Sequence, residues 1–231
     1  KGPNDGGLSR SWMMRAIDAS LQRLNTDWID VYYLHLDDPS TPIEETLVAM
    51  SEIIAAGKVR YFGVSNYRAW RIVQIAELCA KLGVPAPIVS QPYYNAMNRM
   101  PETEILPACA NYGLGVVPYS PLARGVLTGK YAPGQAPAAD TRAGKQDKRM
   151  METEFRAESL AMAQTFKAHA EKRGMSAGQF ALNWVLNNRL ITSVLAGPRT
   201  LAQWSEYLGA LEQRFSAEDE ALVDSLVKSG H

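Results

Sequence analysis

The sequence predicts an α/β fold in which a parallel sheet is closed into a (β/α)₈ barrel. Five short apolar runs, each ending beside a polar or glycine residue, are separated by segments in which apolar residues recur at helical spacing. Strands that alternate with helices in this way pair in parallel and carry the helices on the outside of the sheet. The five runs are Ile29–Leu34, Val59–Val64, Pro87–Ser90, Leu114–Pro118 and Ile191–Ala196.

A doubly wound sheet and a barrel both fit this alternation, whose βα unit takes about 30 residues, as a βαβ crossover requires. A doubly wound dinucleotide-binding domain carries Gly-x-Gly-x-x-Gly after a strand. None of the five runs is followed by that pattern. The barrel is therefore favoured, and because five strands do not close it, we expect further strands upstream of this chain.

One helix before the first run and three between the first four runs are predicted by apolar spacing and by end signals. Met13, Ile17 and Leu21 recur at helical spacing within the first segment. Thr41–Glu44 has the pattern of a capping box with proline at the first helical position. Gly57 and Gly83 mark the ends of the second and third helices. The predicted helices span 9–24, 41–57, 67–83 and 102–111.

The second half of the chain contains one long segment without apolar periodicity, residues 120–151. A loop of this length is usually either functional or disordered. Helix returns over Glu154–Lys172, and Ser176–Gln179 reads as a capping box for the next helix. The last run leads into a helix from Thr200, and Ser216 caps a terminal helix over Ala217–Val227.

Composition bounds the class of protein. The 231 residues fit a single domain, 1–231, and the 46% hydrophobic and 21% charged residues are ordinary for a globular protein. The formal net charge is zero, which argues against nucleic acid or an anionic membrane as a partner. No apolar run approaches the roughly 20 residues that span a bilayer. We expect a cytoplasmic protein in which Cys79 and Cys109 are buried, reduced thiols.

The polar residues at the strand ends are the first candidates for a site, because ligands bind at the carboxyl ends of parallel strands. His35 can hydrogen-bond a carbonyl oxygen or move a proton near neutral pH; the alternative is a histidine satisfied by backbone. Ser65, Asn66 and Gln91 offer the groups that bind a carboxamide, although Ser65 and Asn66 can equally cap the following helix. No two histidines have metal-ligand spacing, so no metal site is expected.

Two later segments are candidates for binding an anion. The turn Pro118–Gly125 contains Arg124 and is suited to a diphosphate, and Tyr119 offers a flat face to a planar ring. Gly197–Thr200 opens a helix and suits a second anionic group, while Thr200 and Gln203 fit a capping box just as well. The basic stretch Arg142–Arg149 is either a solvated loop or a clamp. Together these features predict a pocket for a nucleotide that bears a carboxamide ring.

At these positions the chain resembles the aldo-keto reductases, over nearly its whole length and with family-like spacing. The closest similarity is to the branch with potassium-channel β-subunit-like and bacterial oxidoreductase members. The segments that carry the resemblance are Asp30–His35, Gly57–Asn66, Val89–Asn95, Val117–Gly125 and Leu127–Tyr131.

The resemblance implies a barrel that transfers hydride from NADPH to an aldehyde or ketone, with strands 4–8 in this chain and strands 1–3 missing. It also implies that residues 120–151 form the loop that covers the cofactor after strand 7. His35 matches the active-site histidine, and Tyr119 matches the aromatic residue that stacks on the nicotinamide. The other matches are to cofactor contacts: Ser65, Asn66 and Gln91 for the carboxamide; Ser120, Leu122, Gly125 and Lys130 for the diphosphate; Arg142 for the covering loop; and Gly197, Arg199, Gln203 and Glu206 for the adenosine end with its 2′-phosphate.

Two departures from the family pattern bear on function. Tyr207 stands where similar proteins have asparagine, which removes one adenine contact. The family's catalytic tyrosine, aspartate and lysine lie on the first three strand ends, and Lys1 is one candidate for the lysine.

We therefore interpret the chain as the larger part of an NADPH-dependent reductase acting on a small-molecule carbonyl. The alternatives are a non-catalytic NADPH-binding subunit and an inactive fragment. The sequence leaves the substrate and any homo-oligomer open.

Overall fold

The computed structural model describes residue 2 and residues 5–230, and within them the chain forms two compact units. The first unit runs up to Pro92 and includes Glu104–Val116. The second unit comprises Tyr93–Thr103 and the residues from Val117 onward. Lys1 lies outside the described residues.

The first unit is a parallel sheet with four helices, which confirms the predicted α/β class. Its strands pair in the order β1-β2-β3-β4. They are β1 Ile29–Leu34, β2 Val59–Ser65, β3 Val89–Gln91 and β4 Gly115–Val116; the helices are α1 Arg10–Leu24, α2 Ile43–Ala55, α3 Ala69–Leu82 and α4 Ile105–Asn111. Closure into a barrel stays a prediction.

The first-unit helices form for the reasons that their sequences suggest, with one exception. Ser9 caps α1, and Met13, Ile17 and Leu21 are buried on one face, as their spacing predicts. The capping box predicted at Thr41 is wrong: Pro42 is the N-cap of α2 and makes no side-chain cap. The Thr41 hydroxyl instead donates to the Asp38 carboxylate at 2.7 Å, a contact that turns it towards the connection before the helix.

The second unit is mostly helical. Its helices are α5 Lys148–Thr153, α6 Ala157–Lys172, α7 Ala177–Asn187, α8 Leu201–Leu208 and α9 Ala217–Leu226, with 3₁₀ segments at Met100–Glu102, Ala123–Thr128 and Gly209–Glu212. The capping box at Ser176 and the Ser216 cap are confirmed. Phe166, Phe180 and Trp184 form part of the core. The predicted loop over 120–151 thus contains a 3₁₀ segment and the start of α5.

The predicted strand over Ile191–Ala196 is wrong in this structure. Within it only Leu195 makes a β-bridge, to Tyr119, and its amide donates to the Pro118 carbonyl at 2.9 Å. Proline has no amide hydrogen with which to continue a ladder. The same residue explains why the run Leu114–Pro118 yields only the two-residue strand β4. Tyr119 bridges in parallel to Tyr93 on its other side.

Candidate functional site

In the first unit the polar residues at the strand ends are joined by hydrogen bonds. The buried Ser65 hydroxyl donates to the Gln91 carbonyl at 2.8 Å, which ties the end of β2 to the end of β3. The Asn66 side-chain amide donates to the His35 carbonyl at 2.9 Å and to the Ser65 hydroxyl at 3.1 Å. Neither Ser65 nor Asn66 caps α3, whose N-cap is Arg68. The cap alternative is therefore wrong, and both side chains bind neighbouring strand ends.

The connection that follows β1 is held at successive residues. Asn66 binds His35, and the Tyr67 hydroxyl donates to the Leu36 carbonyl at 3.4 Å. Arg71 forms an ion pair of 3.0 Å with Asp37. This fixed connection presents the His35 side chain to solvent.

Asp38 completes this connection. Its carboxylate accepts the Leu8 amide at 2.8 Å and the hydroxyls of Ser40 and Thr41. The hydrogen bond from Ser40 is the largest cause that lowers the pKa of Asp38 to about 2, with the Leu8 amide and Thr41 adding to it against burial.

Two predicted site residues of the first unit keep their functional groups open. Among the described residues, neither the His35 imidazole nor the Gln91 side-chain amide has a hydrogen-bond partner. An imidazole and an amide in this state can each bind a ligand oxygen. Both roles stay predictions.

In the second unit a cavity of about 390 Å³ gathers most of the residues predicted to hold a cofactor. Every predicted cofactor residue of this unit except Tyr119 lines it. Those residues are Ser120, Leu122, Arg124, Gly125, Lys130, Arg142, Gly197, Arg199, Gln203 and Glu206. Thr128, Leu195 and Tyr207 also line the cavity, and none of these three is among the predicted contacts.

The turn at one wall of this cavity has an unusual backbone. Ser120, Ala123, Arg124 and Gly125 all have positive φ values, of 55°, 45°, 54° and 95°. Amides within the turn close it: Ala123 donates to the Ser120 carbonyl at 3.0 Å, and Gly125 donates to the Leu122 carbonyl at 2.8 Å. These two amides are used inside the turn, so a diphosphate here would depend on side-chain cations to a greater extent than we expected.

Four cationic side chains line the cavity. Lys130, Arg142 and Arg199 are exposed, and among the described residues none of the three forms an ion pair. Arg124 is less exposed and its Nε donates to Glu154 at 3.1 Å. Three open cations around one concave surface create a positive potential that attracts anions.

Within the described part of the chain one carboxylate lines the cavity, and it is hydrogen-bonded to a residue at the start of α7. Glu206 accepts the Ser176 hydroxyl at 2.5 Å, beside the start of α7. Gly178 makes room for this carboxylate, since a Cβ there would lie 2.8 Å from Glu206 Oε1. A carboxylate at a helix N-terminus is stabilised by the helix dipole. The α7 dipole therefore offsets the charge of Glu206, so that this carboxylate lowers the positive potential of the cavity only weakly.

Gln203 takes part in the local backbone of α8. Its side-chain Oε1 accepts a hydrogen bond from the Arg199 backbone amide at 2.7 Å, and its backbone amide donates to the Thr200 hydroxyl at 3.2 Å. Thr200 is thus the N-cap, as the capping alternative predicts, although the glutamine oxygen binds Arg199 and not Thr200. The predicted adenosine contact of Gln203 stays a prediction.

Tyr119 packs against a second tyrosine. Its ring centroid lies 5.5 Å from that of Tyr93, and the Tyr93 hydroxyl donates to Glu154 at 3.0 Å. Glu154 therefore contacts both Tyr93 and Arg124, and sequence reasoning missed it. It lies 30 residues from Arg124, and no periodicity or motif links the two positions.

Two features of the described residues limit the chemistry further. No group of three or more His, Cys, Asp and Glu side chains in them is arranged to hold a metal ion. None of the described helices has the length and hydropathy to cross a membrane. Cys79 and Cys109 are buried and free, as predicted.

Comparison with known proteins places the chain in a family. The model of the aldo/keto reductase family matches residues 1–228. A "probable voltage-gated potassium channel subunit beta" from Oryza sativa is 38% identical over 213 residues, covering 92% of this chain and 65% of the relative. An "L-glyceraldehyde 3-phosphate reductase" from Escherichia coli is 34% identical over 237 residues, covering 99% and 67%.

A third relative, an uncharacterized oxidoreductase from Bacillus subtilis, is 35% identical over 212 residues, covering 91% of this chain and 62% of the relative. The chain thus spans about two thirds of the length of these curated relatives. Since the family model matches nearly every residue and the relatives agree with it, the chain belongs to the aldo/keto reductase family.

Proposed function

We propose that this chain is the nucleotide-binding part of an NADPH-dependent oxidoreductase that reduces aldehyde or ketone carbonyls to alcohols. Family membership and the oxidoreductase-named relatives support an oxidoreductase. The observation that carries the NADPH assignment is the cavity of the second unit, with four cations and one carboxylate that Ser176 already binds.

The cavity suits the anionic part of this cofactor in size and charge. Ligand cavities of about 300–1,000 Å³ are typical, and this one measures about 390 Å³. NADPH carries a diphosphate and a 2′-phosphate monoester, and the latter has a charge of about −1.5 to −2 near neutral pH. Arg124 and Lys130 would hold the diphosphate, and Arg199 would hold the 2′-phosphate through charge-assisted hydrogen bonds.

Bound NADPH would supply the hydride. In our proposal the His35 imidazole, open to solvent at the end of β1, hydrogen-bonds the oxygen of a small-molecule carbonyl substrate. Ser65, Asn66 and Gln91 would hold the carboxamide of the cofactor, and the Gln91 side-chain amide is open to hydrogen-bond it. The barrel that the family resemblance implies, and the activity of the whole protein, are part of the same proposal.

Calorimetric titration with NADPH, with NADH as the parallel ligand, tests the assignment. We expect NADPH to bind at least about tenfold more tightly, because a charge-assisted hydrogen bond contributes about 1.5–3 kcal/mol. Arg199→Ala should remove most of that preference, whereas Arg189→Ala, an exposed arginine outside the cavity lining, should leave it unchanged. Equal affinities for the two nucleotides, or no binding of either, would contradict the proposal.

A non-catalytic NADPH-binding subunit is the second candidate, and the match to the rice potassium-channel subunit favours it. Both candidates share the nucleotide pocket and differ in turnover. Consumption of NADPH that depends on an added aldehyde, and that Arg199→Ala slows at limiting NADPH, supports the reductase. Tight NADPH binding without consumption by a panel of aldehydes and ketones supports the binding subunit.

A further inference from the structure

Arg124 is held on one side and open on the other. Its side chain is 14% exposed, and its Nε donates to Glu154 Oε1 at 3.1 Å. Among the described residues the terminal nitrogens of this guanidinium have no hydrogen-bond partner, and Arg124 lines the cavity. A guanidinium bound through Nε keeps both terminal nitrogens for a phosphate, which they bind as a planar fork.

Glu154 is buried where it holds Arg124. Its side chain is 6% exposed, and it caps the end of α5. The carboxylate also accepts the hydroxyls of Tyr93 and Thr153. A buried carboxylate with three partners of this kind is fixed in position, since leaving any of them unpaired would cost free energy.

The Tyr93 contact extends the influence of Glu154 to a second predicted cofactor residue. Tyr93 packs on Tyr119 with ring centroids 5.5 Å apart and an interplanar angle of 35°. Burial raises the pKa of the Tyr93 phenol, so the hydroxyl stays protonated and donates to Glu154. One carboxylate therefore contacts both Arg124, which lines the cavity, and the tyrosine that packs on the predicted stacking residue.

We propose that Glu154 is a positioning residue that aims the Arg124 fork at the diphosphate of the nucleotide; this rests on the proposed function of the cavity. The carboxylate touches no ligand itself. Its negative charge opposes anion binding, so the proposal holds that fixing the fork outweighs this charge. The two effects predict opposite changes in affinity when the carboxylate becomes an amide.

The test is calorimetry on Glu154→Gln with three probes: NADPH, inorganic pyrophosphate and 2′-AMP. We expect about a tenfold loss of affinity for NADPH and for pyrophosphate, the loss of roughly one oriented charged hydrogen bond. Affinity for 2′-AMP, which carries the 2′-phosphate but no diphosphate, should stay unchanged. Glu152→Gln is the matched control, because Glu152 lies in the last turn of α5, two residues before Glu154, and its side chain is 61% exposed.

Each other result overturns the proposal. Tighter pyrophosphate binding by Glu154→Gln would mean that the carboxylate acts only as an opposing charge. Equal losses for pyrophosphate and 2′-AMP would mean that it only maintains the fold of the cavity. Unchanged affinities would mean that Arg124 needs no support.

A second variant keeps the test decisive if Glu154→Gln does not fold. Arg124→Lys leaves the carboxylate and the positive charge in place but removes the planar fork, and it should show the same selective loss. The failure of the NADPH assignment can be distinguished from the failure of the positioning role. If the wild-type protein binds pyrophosphate but not NADPH, and Glu154→Gln weakens the binding of pyrophosphate, the positioning role is upheld and the cofactor assignment is refuted. Wild-type protein that binds no pyrophosphate refutes the positioning role directly.

Discussion

The two units treat their polar side chains in opposite ways. In the first unit Ser65 and Asn66 bind the backbone at neighbouring strand ends. In the second unit Lys130, Arg142 and Arg199 line a cavity without ion-pair partners among the described residues. Polar groups that bind the backbone contribute to stability, whereas unpaired cations on a concave surface contribute to ligand binding. Substitutions in the two units should therefore change different measured quantities.

The largest effect expected is on the stability of the first unit, from Gly63→Ala. An added Cβ would lie 2.6 Å from Val89 Cγ1 and 2.9 Å from the Val89 carbonyl oxygen, and backbone between paired strands cannot give way. We expect a loss of about 3 kcal/mol in the free energy of unfolding, measured by urea denaturation.

The matched change in the second unit is Gly125→Ala. There the added Cβ would lie 3.0 Å from Lys130 Nζ, the mobile end of a side chain, and the strain comes from φ of 95°. We expect only about 1 kcal/mol, together with weaker pyrophosphate binding. Equal losses of unfolding free energy at the two glycines would contradict a difference between the two units.

The next effect separates stability from affinity directly. Ser65→Ala removes a buried hydroxyl that donates to Gln91, and we expect a loss of about 1–2 kcal/mol in unfolding free energy. Arg142→Ala should change that free energy by less than about 0.5 kcal/mol while weakening NADPH binding. The reverse pattern, a stable Ser65→Ala and an unstable Arg142→Ala, would show that the cation is structural.

The site of the second unit could be predicted only in part from the sequence. The resemblance identified most of the residues that line the cavity, because the segments around Arg124 and Arg199 match the family closely. It did not identify that Ser176 binds Glu206, or that Glu154 binds Arg124. Those contacts join positions about 30 residues apart, and only the packing of helices brings them together.

The fold was predictable to a similar degree and for similar reasons. Helices with strong local signals, such as the box at Ser176, formed where expected. The run Ile191–Ala196 is as apolar as a strand, yet Leu195 makes the β-bridge recorded within it, to Tyr119, and the segment that it faces contains Pro118. Periodicity reports apolar character, whereas a ladder also needs a partner with free amides.

A smaller effect is expected in acid, from Asp38 in the first unit. Its pKa is lowered to about 2 by hydrogen bonds from Ser40, Leu8 and Thr41, so the ionised form is favoured in the folded state. That stabilisation is present above the unfolded pKa, near 3.9, and is lost as the pH falls towards 2. Asp38→Asn should flatten the pH dependence of urea unfolding below about pH 4.

The exposed Asp27, which has no hydrogen bond or ion pair among the described residues, is the control for this experiment. Asp27→Asn should leave the acid limb of the curve as it is in the wild-type protein. An Asp38→Asn variant that follows the wild-type curve would show that the network around Asp38 contributes nothing to stability.

The smallest effect concerns the two thiols, both of which lie in the first unit. Burial raises the pKa of Cys79 to about 11 and also raises that of Cys109, so both should react slowly with an alkylating reagent at neutral pH. Their reaction rate therefore reports opening of the first unit alone. Ser65→Ala should speed alkylation several-fold, and Arg142→Ala should leave the rate unchanged.

The hydrogen bond between Ser176 and Glu206 places one carboxylate in contact with both the start of α7 and the cavity. It lies against the first turn of the helix that carries Phe180 and Trp184, and it also borders the cavity. A nucleotide that drew this carboxylate towards itself would weaken the support at the start of that helix. If the cavity binds the proposed nucleotide, replacing Ser176 is expected to change both the thermal stability of the protein and its affinity for that nucleotide.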